Sequence, residues 1–286
     1  MVKAYDKQSW IYDSVNCGKA NIETKHNKIL ISNSIYEIPE DSAIQFSVGI
    51  RGHGRLCSGT LISFKHILTS AHCITNISIK NVDLIINDTC IQDHLNICTP
   101  SLGRIIKKIH KVYIPQDYNL THKRIGDIAV LEINNIDKNL HHVCLPIKSF
   151  HHHLNYTNFH NNSDISKILF GFGLKSIYNT TGKIKKGKVL RILRLPNISG
   201  KRSGKTLDSE NYTNELWYFN ASKNYSIYHG DSGGGNIANI FQEKWFIYGV
   251  TKGVISGDSH RNFPKQGFCI NVIRYVNFIE NVILNN

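Results

Sequence analysis

The sequence predicts an all-β protein, built as a sandwich or as a pair of barrels, whose chain ends in a helix. Short segments rich in Ile, Val, Phe and Tyr recur between turn-rich stretches, and many short strands at this spacing are typical of sandwiches and barrels. Helical patterns do not alternate with the strands, as they would in a parallel βαβ sheet. The tail NVIRYVNFIENVILNN differs, because its apolar residues follow a helical period.

Eight segments carry the strand prediction, because they combine β-branched and aromatic residues and lie between turn-forming residues. In chain order they read IQFSVGI, GTLIS, HILTSA, VDLIIN, DIAVLEI, ILFGFG, KVLRILRL and WFIYGV. In the tail, the residues that share one helical face are Val272, Tyr275, Val276, Ile279, Val282 and Ile283. We therefore expect an amphipathic helix at about 272–285.

Length and composition indicate a globular chain. Its 286 residues suffice for one large domain or two small ones. Hydrophobic residues make up 41% and charged residues 19%, which excludes an intrinsically disordered protein. No run of about 18 apolar residues occurs, so we expect no membrane span. The first residues, MVKAYDKQSW, lack the apolar core of a signal peptide, so a secreted form is expected to have already lost its signal.

Glycosylation sequons and cysteines favour an extracellular location. The pattern Asn-x-Ser/Thr occurs ten times, more often than the asparagine content of the chain explains. Seven cysteines are present, and disulfides persist in oxidising compartments. We therefore expect a secreted glycoprotein.

A basic stretch lies at 183–205. The chain has a net charge of +13, and part of this charge is concentrated in KIKKGKVLRILR and the residues that follow it. Such a stretch either binds a polyanion such as a sulfated glycan or is a solvated loop and strand. Neither an RNA-binding motif with interleaved aromatic residues nor zinc-finger spacing accompanies it, so we expect no nucleic acid partner.

One serine is surrounded by glycines in SIYHGDSGGG, residues 226–235. The glycines permit a sharp turn and a close approach of another segment, which suits either an exposed nucleophile at Ser232 or a plain tight turn. A nucleophilic serine needs a histidine base and a carboxylate that orients the base. GDSGG also matches the elbow G-x-S-x-G, whose acid and base follow the serine. Only Asp258 and His260 would then serve, two residues apart, and the parallel α/β pattern of that fold is missing.

The opposite order, with base and acid upstream of the serine, fits two further stretches. CSGTLISFKHILTSAHC covers residues 57–73 and GDIAVLEI covers 126–133. Together with GDSGG, and in this order, they resemble the motifs of the chymotrypsin/trypsin family of serine endopeptidases. The resemblance implies a triad in which His72 is the base, Asp127 the orienting acid and Ser232 the nucleophile.

The resemblance also implies two antiparallel β-barrels with catalysis in the cleft between them. We expect an N-terminal extension at 1–30, a first barrel at about 31–145, a second barrel at about 146–272 and the helix at about 272–285. The implied substrate is a protein or peptide. This chemistry needs neither a cofactor nor a metal ion, and we expect none.

The family's oxyanion hole corresponds to the backbone N–H groups of Gly230 and Ser232. Thr251 matches a serine that bonds the buried acid in the family, so its hydroxyl is expected to bond Asp127. The implied substrate pocket comprises Ser226, Thr251, Gly253 and Gly267. Ser226 falls at the specificity position and offers no counter-charge to Lys or Arg, while the two glycines keep the pocket open. An open, neutral pocket favours a large apolar or aromatic side chain before the cut.

In the family, the residue at Asp231 pairs with an α-amine that is freed when an activation peptide is cut. The resemblance therefore implies a zymogen and an activating protease. The residue spacing puts the new N-terminus at Ile31, but Leu30 before it is a poor site for a trypsin-like activator. Ile29 follows Lys28, a better site, at the cost of a two-residue shift. Both Ile31 and Ile29 stay open as the new N-terminus.

The seven cysteines divide into three expected disulfides and one odd residue. The expected pairs are Cys57–Cys73, Cys17–Cys144 and Cys90–Cys98. By resemblance, the first is the histidine-loop disulfide and the second ties the activation peptide to the catalytic domain. The third pair lies in an insertion and closes a small loop. Cys269 is left over near the implied pocket, either buried and reduced or reactive.

Two departures from the family pattern favour an alternative function. Tyr228 stands where a pocket cysteine is usual, and Lys252 replaces a tryptophan that helps line the cleft. A catalytically inactive homologue that keeps the fold to bind a partner would tolerate both changes. The three triad positions and the oxyanion glycine are nevertheless present, which favours the enzyme.

Overall fold

A computed structural model of the chain describes its strands and the terminal helix in detail. The described residues are 17–19, 35–37, 44–91, 98–118, 126–136, 140–146, 165–173, 175–178, 184–187, 190–194, 216–220, 227–239, 244–256 and 264–285. Ile29, Ile31 and Ser226 lie outside them, as does most of the basic stretch at 183–205.

The described residues form sixteen strands and one α-helix. The strands are β1 (Ile35–Glu37), β2 (Ser47–Gly52), β3 (Arg55–Leu61), β4 (His66–Thr69), β5 (Asp83–Ile86), β6 (Ile105–Lys107), β7 (Lys111–Tyr113), β8 (Ala129–Glu132), β9 (Ser166–Gly171), β10 (Lys175–Tyr178), β11 (Ile184–Gly187), β12 (Arg191–Arg194), β13 (Leu216–Asn220), β14 (Gly235–Asn239), β15 (Trp245–Ser256) and β16 (Pro264–Asn271). The helix α1 spans Val276–Leu284, and short 3₁₀ turns span Ala71–Cys73, Ile79–Asn81 and Val272–Tyr275.

The first half of the chain forms a seven-stranded sheet in the order β6-β5-β2-β3-β4-β8-β7. All neighbouring strands in this sheet are antiparallel. Its strands bury Leu, Ile and Val side chains, among them Val48, Leu68 and Val130, which are fully inaccessible to solvent. Burying one such side chain stabilises the fold by about 1.5–3 kcal/mol, so these residues form the core of the first half.

A second seven-stranded antiparallel sheet has the order β1-β12-β9-β14-β15-β16-β13, and β10 and β11 form a separate hairpin. Strand β1 lies in the range that we assigned to the first barrel, yet it pairs with β12, with Ile35 opposite Leu193. Hydrogen bonding between strands is not limited to neighbours in the chain, so a boundary in sequence does not divide the two sheets cleanly.

The two halves share one continuous core. Phe46, next to β2, contacts Phe170 of β9 with ring centroids 5.9 Å apart. Helix α1 adds its apolar face to the same core through Ile279 and Val282, both buried. The predicted fold, all-β with two antiparallel sheets and a C-terminal helix, is confirmed. Of the predicted helical span 272–285, the first turn is 3₁₀.

Three disulfides join Cys17 to Cys144, Cys57 to Cys73 and Cys90 to Cys98. Cys269 is buried and takes part in none of these disulfides, which matches the buried alternative of the sequence analysis. Among the described residues, no helix has both the length and the apolar character required to cross a bilayer.

One buried histidine is expected to make stability depend on pH. His66 of β4 is 2% exposed, and its Nδ1 lies 2.7 Å from the Ser63 hydroxyl. Burial lowers the pKa of His66 to about 4 from 6.5. Below pH 6.5 the His66 imidazole becomes protonated in the unfolded chain, whereas in the folded chain it stays neutral down to about pH 4. The free energy of unfolding should therefore fall over this window, by at most about 3 kcal/mol.

Urea unfolding at pH 7, 5 and 4, followed by circular dichroism, measures this dependence. His66→Asn keeps a polar atom for Ser63 but cannot titrate, so its stability should fall less steeply with pH. Parallel losses in the wild type and the variant would show that His66 is not the group responsible.

Candidate active site

Strand register brings His72 and Asp127 together. In the antiparallel pair β4–β8, Thr69 at the end of β4 lies opposite Ala129 at the start of β8. The residues just after Thr69 and just before Ala129 therefore lie close together, where β4 ends and β8 begins. His72 lies in the 3₁₀ turn that follows β4, and the Cys57–Cys73 disulfide ties this turn to β3.

Two hydrogen bonds join the pair. The His72 backbone N–H donates to Asp127 Oδ1 over 2.9 Å, and the ring Nδ1 donates to Oδ2 over 2.8 Å. The Asp127 side chain is 1% exposed and that of His72 is 30% exposed. A buried carboxylate that accepts from Nδ1 fixes the tautomer of the ring, and Nε2 is then free to accept a proton.

The Asp127 carboxylate has a second cation beside it. The ammonium of Lys252, on β15, lies 3.7 Å from Asp127 Oδ2, and the Lys252 side chain is 7% exposed. Burial by itself would raise the pKa of Asp127, but the hydrogen bonds and charge of His72 together with the charge of Lys252 outweigh it and hold that pKa below its usual value. Asp127 is therefore ionised at neutral pH.

The hydroxyl of Thr251 differs from the expectation. It accepts a hydrogen bond from Asn236 Nδ2 over 3.0 Å rather than bonding Asp127. Asn236 lies on β14, which pairs with β15, so this donor comes from the neighbouring strand. The backbone of Thr251 has another role, because its carbonyl accepts from Gly233 N–H and from Ser70 Oγ.

The loop that carries Ser232 is attached to both sheets. The Ser58 N–H of β3 donates to the Ser232 carbonyl, and the Gly233 N–H donates to the Thr251 carbonyl, each over 2.7 Å. Gly233 has a φ of +85°, and a Cβ on it would overlap the Ser58 carbonyl and the Thr69 hydroxyl. Only glycine allows both this backbone conformation and this close approach.

Ser232 and His72 lie against the same disulfide. Cys73 Sγ is 3.8 Å from His72 Nε2 and 3.7 Å from the Ser232 carbonyl oxygen. The Ser232 hydroxyl donates over 3.2 Å to the Lys252 carbonyl, and no hydrogen bond within the described part of the chain joins it to His72. In enzymes without substrate, catalytic hydrogen bonds are often long or misaligned, so this rotamer is compatible with a nucleophile at rest.

Two backbone N–H groups of the loop donate to no acceptor within the described residues. The Gly230 carbonyl accepts from Ser58 Oγ over 2.7 Å, and the Asp231 carbonyl accepts from Gly234 N–H over 3.0 Å. The N–H groups of Gly230 and Ser232 have no acceptor among the residues that the structure describes. Such an N–H pair can stabilise a developing oxyanion.

Asp231 has a complete set of partners. Its carboxylate accepts from the Gly173 N–H over 2.7 Å, from the Tyr228 N–H over 2.8 Å and from Arg191 over 2.8 Å. The acid and the guanidinium form a buried ion pair, in which the side chains are 4% and 5% exposed. Ile29 and Ile31, the candidates for an amine partner, lie outside the described residues.

Two of these residues were missed by the sequence analysis as contributors to the site. Arg191 was counted with the basic stretch at 183–205, but its charge is buried against Asp231. Lys252 was noted only as a replaced tryptophan, whereas its ammonium lies beside Asp127. For Arg191 a signal was present in KVLRILRL, where the charge sits between apolar residues of a predicted strand.

The implied substrate pocket is described in part. Gly253 of β15 and Gly267 of β16 lie on paired strands, with Gly253 opposite Phe268 and Gly267 opposite Val254. The Phe268 ring carbons are 3.7 Å from where a Cβ on Gly253 would stand. Ser226 falls outside the described residues, so its specificity role stays a prediction.

One cluster has the spacing of a metal site but not its chemistry. The ligand atoms of Cys57, His72 and Cys73 lie within 4.8 Å of one another. Both sulfurs are joined in a disulfide, so neither can act as a thiolate ligand.

Comparison with known proteins gives two findings. The family model described as Trypsin matches residues 35–279. Serine protease 7 of Drosophila melanogaster is 29% identical over 140 residues, which cover 41% of this chain and 35% of that protein. The matched segment thus spans little more than a third of that relative's length. Because the family model extends over most of the sequence, the chain belongs to the trypsin family.

Proposed function

We propose that the protein is a serine endopeptidase that cleaves peptide bonds through an acyl-enzyme. The observation that carries the proposal is the buried Asp127 carboxylate, 2.8 Å from His72 Nδ1, with the Ser232 loop held beside the imidazole. Membership of the trypsin family supports the same chemistry.

In the proposed reaction the Ser232 hydroxyl turns from the Lys252 carbonyl to His72 Nε2. His72 takes the hydroxyl proton while Oγ bonds to the substrate carbonyl carbon, and the N–H groups of Gly230 and Ser232 stabilise the oxyanion. The imidazolium, paired with Asp127, then gives the proton to the leaving amine as the C–N bond breaks. Water then attacks the acyl carbon while His72 takes one of its protons, and His72 returns that proton to Ser232 Oγ as the C–O bond breaks and the acid leaves.

We also propose that the protein is secreted, because the chain combines three disulfides with ten glycosylation sequons. The sequon asparagine Asn76 is exposed, as a glycan requires. A large apolar or aromatic residue before the cut remains the predicted preference. For the stretch at 183–205 both predictions stay open, a polyanion partner and a solvated loop and strand. The predicted activating cut at 28–31 is not part of this proposal, because Asp231 already pairs with the Arg191 guanidinium.

Labelling by a fluorescent fluorophosphonate tests the proposal. The probe bonds covalently to a serine only where a base and an oxyanion hole activate it, so we expect labelling of the wild type at Ser232 and none of Ser232→Ala. Peptide mapping identifies the labelled residue, and the probe is applied both before and after limited proteolysis near residues 28–31.

The absence of labelling in every form of a folded sample would contradict the proposal. That result would favour a non-catalytic homologue that keeps the fold to bind a partner. Circular dichroism of wild type and Ser232→Ala establishes that both samples are folded before the comparison is made.

A further inference from the structure

The carboxylate of Asp231, the residue before Ser232, is buried and fully hydrogen-bonded. Its two oxygens accept from two backbone N–H groups and from Arg191, as described above. A Cβ on Gly173 would overlap the carboxylate, so the acid packs directly against that backbone. The guanidinium is the cation that balances this buried charge among the residues that the structure describes.

Arg191 contacts the Asp231 carboxylate from the second sheet. It begins β12 and lies opposite Gly171 of β9, two residues before Gly173. The central carbon of its guanidinium lies 5.5 Å from the centre of the Tyr228 ring, a distance at which a cation and an aromatic face attract each other. Tyr228 stands where the family usually has a cysteine. Here its ring packs against Arg191 while its N–H binds Asp231.

These contacts set the shape of the loop that bears Ser232. Tyr228 and Asp231 are joined twice, through the Tyr228 N–H and carboxylate and through the Asp231 N–H and the Tyr228 carbonyl over 3.0 Å. Gly230, whose N–H belongs to the proposed oxyanion hole, lies between them with φ at +106°. Fixing the Asp231 side chain therefore fixes the peptide that carries this donor.

We propose that Arg191 is a positioning residue that takes the place of a freed N-terminal amine, so that the uncut chain is competent for catalysis. This inference rests on the proposed function. The pair Arg191–Asp231 forms in the chain without a cut near residues 28–31 and requires no new terminus at Ile29 or Ile31. Arg191 acts through Asp231 and the 228–232 turn and touches no substrate.

The chemistry of the pair explains why a fixed arginine suffices. An α-amine and a guanidinium both supply a positive charge and N–H donors to a buried carboxylate. Removing the guanidinium leaves Asp231 buried with an uncompensated charge, which forces the carboxylate toward water or toward protonation. Either change releases the turn and misplaces the Gly230 N–H.

The first test uses the wild-type chain with no substitution. We expect the uncut protein, verified as intact by mass spectrometry, to react with the fluorophosphonate at Ser232 at a rate comparable to that of protein cut at 28–31. N-terminal sequencing verifies the cut. An inert uncut chain that labels only after the cut would overturn this inference and leave the proposed function standing. Absence of labelling in both forms would overturn both.

The second test removes the cation. In the uncut chain, Arg191→Met is expected to lower kcat for a peptide substrate by about 10²–10³-fold, the effect of losing one oxyanion donor, with little change in KM. Arg191→Lys keeps a charge and should recover much of the rate. Arg194→Met, which removes an arginine three residues along β12, is the matched control and should retain wild-type kcat.

A purely structural role would give a different result. Arg191→Met would then melt at a lower temperature but keep its kcat while folded, and Arg191→Lys would restore no rate. Wild-type kcat in folded Arg191→Met, measured on the uncut chain, would overturn the inference.

Discussion

Replacing His72 with alanine is expected to lower kcat toward a peptide substrate by about 10⁶-fold, the loss typical of removing the base from such a triad. In the described part of the chain, the Ser232 hydroxyl would keep the Lys252 carbonyl, 3.2 Å away, as its hydrogen-bond partner. A carbonyl oxygen accepts the hydrogen bond but does not remove the proton, so the serine stays a weak nucleophile. Steady-state kinetics with the purified variant measure the loss.

The matched control is His110→Ala, because His110 is exposed and lies between β6 and β7, outside the proposed site. We expect this variant to retain the kcat of the wild type. If His72→Ala, folded by circular dichroism, kept most of the wild-type kcat, His72 would not be the base.

The proposed triad was predictable from sequence because its motifs are local. TSAHC lies at the end of one strand and DIAVLEI begins another. Because these two strands pair antiparallel, His72 and Asp127 lie close together where the first strand ends and the second begins. The glycines of GDSGG likewise indicate a sharply turned loop, and the conformation of Gly233 meets that requirement. In each case the residue type and the strand register determine the position of the residue, and no long side chain from elsewhere in the fold is needed.

The residues that surround the proposed triad were harder to predict, because long side chains reach partners far away in sequence. Arg191 and Asp231 are 40 residues apart, and a charged strand residue is usually solvated. Lys252 extends from β15 to Asp127 of the other half. The Thr251 hydroxyl is predicted to bond the same acid, but its hydrogen bond is to Asn236 of the neighbouring strand. Such choices depend on packing between strands, which the local sequence pattern does not encode.

The ionisation state of Asp127 decides what a substitution there should do. Its burial favours the neutral acid, yet His72 and Lys252 hold the pKa of the carboxyl below its usual value. A depressed pKa in the folded state stabilises the fold above the pKa of the unfolded chain, and this contribution is lost as pH falls through the folded value. At neutral pH the carboxylate therefore accepts a hydrogen bond from Nδ1–H, which leaves Nε2 unprotonated, as its proposed role as the base requires.

Asp127→Asn should reverse that tautomer while preserving the shape of the site. The amide N–H₂ of the variant can donate to Nδ1, which then puts the proton on Nε2, where it blocks transfer from Ser232. We expect kcat at neutral pH to fall by about 10⁴-fold with little change in KM. Asp83→Asn is the control, since within the described residues the Asp83 carboxylate pairs with Arg51 and Lys108, which are partly exposed, and such pairs contribute little. Near-wild-type kcat in Asp127→Asn would mean that Asp127 does not set the tautomer of His72.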